Sequence, residues 1–148
     1  MSIVAYTDGS CSKNPGPGGW AFIIYNGMNK IHSSGGRMDN STNNIMELTA
    51  ISECLKYIIN SGVTGVRIHT DSRYVHDGIT KWLPAWIRNN WVTSSGGPVK
   101  NLELWKEINA SLQHKNQLAF SFEWVQAHAS DIRNNEVDTL AKQYRDAR

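Results

Sequence analysis

Long hydrophobic runs, clustered cysteines and a large excess of one charge are all missing from this chain of 148 residues. Apolar stretches such as Ala21-Phe22-Ile23-Ile24 fall far short of the ~20 residues that cross a bilayer, so no membrane association is expected. The amino terminus, Met1 to Asp8, carries neither a basic n-region nor a long apolar h-region, and no secretory leader is expected. Cys11 and Cys54 lack CxxC spacing, which argues against a disulfide framework and for a reducing compartment; a cytoplasmic location is expected. Fifteen Lys/Arg against thirteen Asp/Glu leave a net charge of +2. That excludes a strongly basic nucleic-acid-binding tail but not a local basic patch. No repeat, low-complexity tract or hinge-like linker divides the chain.

What is present suffices for one core. With 40% apolar and 19% charged residues, the chain can bury a core, and a single domain over residues 1–148 is expected. Ile3 to Asp8 reads as a strand ending at Asp8-Gly9-Ser10, and Lys13 to Gly19 is dense in turn formers and reads as a loop. Trp20 to Tyr25 reads as a second strand, Asn26-Gly27 as a hairpin turn, and a third strand should pair back through Ile31. Ser41 or Thr42 can cap a helix running to about Asn60, with Ile45, Leu48, Ile51, Leu55 and Ile58 at helical spacing and Gly62 closing it. Val66 to Thr70 is the next strand, ending at Asp71. Short helices, interrupted or started at Pro84, are expected between Ser72 and Trp91, then a loop at Ser94 to Pro98. Asn101 can cap a helix carrying Leu102, Trp105, Ile108 and Leu112; Leu118 to Val125 alternates as the last strand; Val137, Leu140, Ala141 and Tyr144 mark the final helix. The order βββαβα…βα predicts an α/β fold. Its mixed sheet of five strands should have an antiparallel meander of strands 1–3 and parallel strands 4–5, flanked by helices.

Four acidic residues sit where chemistry can use them. Asp8 and Asp71 each follow an apolar strand, at or near the carboxyl ends of neighbouring parallel strands, where α/β sheets place their ligand crevices. Glu47 lies one turn into the long helix beside Leu48 and Ile51, and Asp138 at the start of the last helix beside Val137 and Ala141. Convergence of all four would demand cations to offset their repulsion, and an oxygen-only ligand set suits Mg²⁺ or Mn²⁺. Singly, each has a plainer reading. Asp71-Ser72 can be a helix N-cap, Glu47 a complement to the helix dipole, Asp138 a solvated helix residue, Asp8-Gly9 a turn, and His128 a surface or capping residue. Cys54 reads as a small core hydrophobe.

Their arrangement is more specific than any one of them. Thr7-Asp8-Gly9-Ser10-Cys11 followed by Asn14-Pro15-Gly16-Pro17-Gly18-Gly19 resembles the first signature of the type 1 ribonuclease H family. Thr42-Asn43-Asn44-Ile45-Met46-Glu47-Leu48 is similar to its second, Thr70-Asp71-Ser72-Arg73-Tyr74-Val75 to its third, and His128 with Asp138-Thr139-Leu140-Ala141 to its fourth. The resemblance spans residues 3 to about 144, with the spacings of the bacterial enzyme. It implies a ribonuclease H-like sheet and hydrolysis of the RNA strand of an RNA–DNA hybrid by two divalent ions roughly 4 Å apart, leaving 5′-phosphate and 3′-hydroxyl ends. It also implies that Asp8, Glu47, Asp71 and Asp138 bind the metal and that His128 assists proton transfer or product departure. Asn14, Asn43 and Asn44 would face the minor groove, where 2′-hydroxyls distinguish RNA. Thr42 would meet a DNA phosphate, and Trp82 would pack on a DNA sugar. Asn14 also has a turn or cap reading, and Trp82, Trp86 and Trp91 a core one. A monomer is expected.

Three departures from the family pattern stand out. Between Trp82 and Asn101, where bacterial relatives carry a basic protrusion, only Arg88 and Lys100 are charged. Asn134 and Asn135 occupy the places of the usual Asn-Glu, with Glu136 one place later, and Ser130-Asp131-Ile132-Arg133 lacks the usual glycine. Three rival functions remain. A DNA-strand transferase or resolvase is opposed by the Asn14/Asn43/Asn44 set, a non-catalytic hybrid-binding module by the presence of all four carboxylates, and a small-molecule phosphatase by the absence of a DxD pair.

Overall fold

The computed structural model describes residues 3–114, 119–126 and 131–147. Its elements are β1 (Ile3–Cys11), β2 (Gly16–Asn26), β3 (Asn29–Ser41), α1 (Asn43–Ser61), β4 (Gly65–Thr70) and α2 (Arg73–Asp77). A wide π-type turn (Gly78–Trp82) leads to α3 (Leu83–Arg88), α4 (Leu102–Leu112), β5 (Ala119–Trp124) and α5 (Ile132–Asp146). The sheet runs β3-β2-β1-β4-β5. β1, β2 and β3 pair antiparallel as a meander, and β4 is parallel to both β1 and β5.

Helices cover both faces of the sheet. On one face Leu48, Ile51, Leu55 and Ile58 of α1 meet Ile3, Ala5, Phe22, Ile24 and Ile68, and Trp105 and Ile108 of α4 extend that layer. On the other, Val137 and Ala141 of α5 pack on Tyr6, Ala21, Ile23 and Tyr25. β1 and β2 therefore bury alternate side chains into two cores, which is why they read as near-continuous apolar runs. β3 lies at the edge and is polar and mostly exposed. Cys54 is a fully buried part of the first core, and burial pushes its thiol well above the ordinary range.

Several boundaries differ from the sequence expectation. β1 continues past Asp8 to Cys11, and β2 begins at Gly16, so most of the expected Lys13–Gly19 loop is strand. Ser10 pairs with Gly19 and Cys11 with Gly18. The glycines there serve close approach: a Cβ on Gly19 would fall 2.2 Å from the Ala141 carbonyl oxygen of α5. β3 runs to Ser41 rather than Ile31, paired with β2 along its length, because strand partners matter more than side chains at a polar edge. Asn101 adopts a left-handed backbone with φ 58° and makes no capping bond; its amide donates to the Tyr74 hydroxyl instead. α5 starts at Ile132, capped by Asp131, whose Oδ1 accepts from the amides of Arg133 and Asn134. Asp138 thus lies in its second turn, not at its start.

Candidate active site

Parallel pairing between β1 and β4 ends at Thr7 opposite Thr70, so Asp8 and Asp71 emerge side by side where that ladder stops. α1 then crosses β1 closely enough to add Glu47. A Cβ on Gly9 would lie 2.4 Å from the Glu47 backbone nitrogen, an approach only glycine permits. The same contact lets the Gly9 amide donate to Glu47 Oε1 at 2.5 Å. One carboxylate oxygen each from Asp8, Glu47 and Asp71 lies within 4.8 Å of the others, a group able to hold a metal ion.

Asp8 is 2% and Glu47 7% exposed. Burial, and then the neighbouring charge of Glu47, pushes the Asp8 carboxyl far above the usual carboxylate range. Glu47 is raised too, chiefly by burial, with Asp71 and Asp138 adding to the shift; the hydrogen bonds from Asp8 and from the Gly9 amide oppose it. Asp8 Oδ2 and Glu47 Oε2 are buried without a hydrogen-bond partner. Such oxygens are costly in an empty pocket and are what a hard cation would bind. Asp138 stands beside the trio, reaching Asp8 by a hydrogen bond and the Lys142 ammonium at 3.1 Å.

The N-terminus of α1 forms a polar corner. Thr42 caps it, its hydroxyl accepting from the Ile45 amide at 3.1 Å. Asn14 Oδ1 accepts from the Asn43 amide at 3.0 Å, so the β1–β2 loop is tied to the helix start beside the exposed Asn43 and Asn44. The cap reading of Asn14 is thus real, and it places Asn14, Thr42, Asn43 and Asn44 together. Trp82 lies apart from this corner, 38% exposed and leaning on Tyr74 and Trp86. Trp86 and Trp91 are half-buried against the core. His128 lies outside the described residues.

A profile of the ribonuclease H family matches residues 1–146. The chain is 46% identical over 142 residues to the ribonuclease H of Xanthomonas campestris pv. campestris (strain 8004), covering 95% of this chain and 90% of that one. The chain belongs to the ribonuclease H family. Among solved structures, LC9-RNase H1, a type 1 RNase H with the type 2 active-site motif, is similar with TM-score 0.81 and 30% identity over 95% of this chain and 70% of that one. The foamy viral protease–reverse transcriptase in complex with RNA/DNA hybrid matches with TM-score 0.82 and 27% identity, over 97% of this chain and 20% of that one.

Within this ribonuclease H fold, several groups escaped the sequence reading. Gly9 looked like a turn residue and is instead the point of contact between β1 and α1. Asn134 is 1% exposed, and its amide makes a long 3.5 Å contact with Asp71 Oδ2. Trp124 Nε1 donates to the Asp71 carbonyl at 3.1 Å. Tyr6 donates its hydroxyl to Asp131 Oδ2 at 3.2 Å, tying β1 to the capped start of α5. The alternation Phe120/Phe122/Trp124 marks that face of β5, but nothing local signals its link to Asp71.

Proposed function

We propose that this chain is an endoribonuclease that cuts the RNA strand of RNA–DNA hybrids, leaving 5′-phosphate and 3′-hydroxyl ends. The observation that carries this reading is the buried Asp8–Glu47–Asp71 group with two carboxylate oxygens lacking partners. Asp8, Glu47, Asp71 and Asp138 hold the metal, two Mg²⁺ ions during catalysis, with Mn²⁺ as the alternative. When bound, divalent ions supply Lewis-acid activation of water and stabilisation of charge at the scissile phosphate and the leaving oxygen.

The remaining steps belong to the chain's own groups. The Gly9 amide and α1 fix the Glu47 carboxylate before substrate arrives, so little reorganisation remains at the moment of reaction. Asn134 and the Trp124 indole orient Asp71 from its side-chain and backbone ends. Asn14, Asn43 and Asn44 face the minor groove and sense ribose 2′-hydroxyls, Thr42 meets a DNA phosphate, and the exposed face of Trp82 packs on a DNA sugar. His128 moves a proton at the cleaved phosphate or helps product depart. We read residues 1–148 as one domain, monomeric and cytoplasmic; no described helix is long and apolar enough to cross a membrane.

The test offers one labelled strand as hybrid, duplex RNA, duplex DNA and single-stranded RNA, with and without Mg²⁺. Metal-dependent cleavage confined to the hybrid is expected. Cleavage of duplex DNA would favour the strand-transferase reading, and binding without cleavage the non-catalytic one.

A further inference from the structure

We infer that Arg73 is a substrate contact, its guanidinium gripping a phosphate of the RNA strand beside the one being cut. This rests on the hybrid-nuclease reading above and extends its substrate surface to a residue outside the Asn14/Thr42 corner and Trp82.

Arg73 opens α2, two residues past Asp71, a separation that extended chain spans in at most about 7 Å. It is exposed, and its guanidinium carbon lies 3.9 Å from the centre of the Trp124 ring. The same indole donates to the Asp71 carbonyl at 3.1 Å. One ring therefore fixes both the backbone of a site carboxylate and the cation beside it. Other arginines satisfy carboxylates: Arg67 pairs with Glu123, Arg37 with Asp39 and Arg145 with Asp146. Among the described residues Arg73 has no carboxylate partner; it is occupied only on its flat face. Stacking leaves the edge donors of a guanidinium open, in the fork geometry that takes two phosphate oxygens at once.

Stability alone accounts poorly for this placement. The first position of a helix is where a cation is electrostatically disfavoured. Recognition accounts for it better, because a side chain already ordered by stacking loses less freedom on binding. The strand that is cut must pass over Asp8, Glu47 and Asp71, so a phosphate within reach of Arg73 belongs to that strand. The site thereby gains at its lip a fixed positive charge of the kind that the Trp82–Asn101 segment holds sparingly.

The experiment measures equilibrium binding of a fluorescent RNA–DNA hybrid in EDTA, where cleavage is suppressed, across a salt series. Arg73→Ala should weaken binding about tenfold and lower the slope of log K against log salt by about one. Arg73→Lys should keep the slope and lose part of the affinity, since an ammonium neither stacks flat nor forks. Arg73→Gln covers the case in which alanine uncovers Trp124 and unsettles the fold. Hybrids carrying one neutral methylphosphonate, walked along each strand, should reveal an RNA position whose neutralisation weakens the wild type but not Arg73→Gln. Unchanged affinity and slope with a lowered Tm would make the stack purely structural and overturn the inference, as would a coupled position in the DNA strand. Wild-type cleavage of hybrid combined with wild-type-like binding by Arg73→Gln sinks this inference alone. Failure of the wild type to cleave hybrid sinks the function beneath it.

Discussion

Where the β1–β4 ladder ends, carboxylates are held by paired backbone and a helix pressed on a strand, whereas the segment from Trp82 to Asn101 is held by side chains leaning on one another. In the first region Asp8 and Asp71 are one residue past the Thr7–Thr70 pair, and Glu47 is tied to the Gly9 amide. In the second, Trp86 sets its ring edge-on to Trp105, Trp82 tilts against Trp86 and Tyr74, and Trp91 bonds its amide to the Trp86 carbonyl at 2.7 Å. The first accumulates like charge in a dry pocket and must be relieved by cation. The second has shed charge and keeps its aromatic frame. Geometry for bond breaking tolerates no drift, so it is built on elements. A surface that grips a backbone of uniform charge tolerates variation, so its charge can move elsewhere.

The largest effects should come from breaking the carboxylate region. Asp8→Asn and Asp71→Asn should each lower Mg²⁺-dependent turnover by at least about 1000-fold, since a metal ligand is lost outright. The same removal of buried like charge should raise the metal-free Tm, by about 2–6 °C for roughly 1–2 kcal/mol. Near-normal turnover in a variant that melts normally would remove these residues from the site. Gly9→Ala tests the geometry independently of charge. Its methyl would meet the backbone of Met46 and Glu47, costing about 1–3 kcal/mol and lowering kcat as Glu47 shifts. A fully active, equally stable Gly9→Ala protein would show that the close approach is dispensable. His128→Ala should lower kcat by about 10- to 1000-fold with little change in KM.

The pH dependence of stability sharpens the same contrast. Asp8 and Glu47 have folded pKa values raised above the unfolded ones, so the folded state holds extra protons above the usual carboxylate range. Their contribution is present at low pH and lost as pH rises through the raised values. In EDTA the Tm should therefore fall as pH climbs from the ordinary carboxylate range, and Mg²⁺ or Asp8→Asn should flatten that fall. A rise over that interval would contradict the repulsive pocket.

The smallest effect belongs to the aromatic segment. Asn89, Ser94 and Ser95 are exposed and can each take lysine; Asn90, with φ 56°, is a poor host for it. The triple lysine variant should lower KM by about 2- to 10-fold and steepen the salt slope, leaving kcat nearly constant, because these contacts favour ground and transition states alike. Equal slopes for variant and wild type would show that this segment does not touch the substrate.

Much of this was legible from residue order. Helical spacing of Ile45, Leu48, Ile51, Leu55 and Ile58, with Thr42 before and Gly62 after, defined α1, and the apolar runs before Asp8 and Asp71 defined adjacent strands. These are local signals: period, cap and breaker act within a few residues. Other features had no local signature. β3 extends to Ser41 because β2 supplies its hydrogen bonds, although its own residues are polar. α5 begins at Ile132 because Asp131 caps it, ahead of any apolar stripe. Sequence by itself determined which carboxylates were available and on which elements they ride. Only the tertiary structure decided that Gly9 is where helix meets strand, that Asn134 and Trp124 converge on Asp71, and that Arg73 lies on an indole from β5. Contacts between residues far apart in the chain depend on strand register and helix crossing, which no short window of sequence contains.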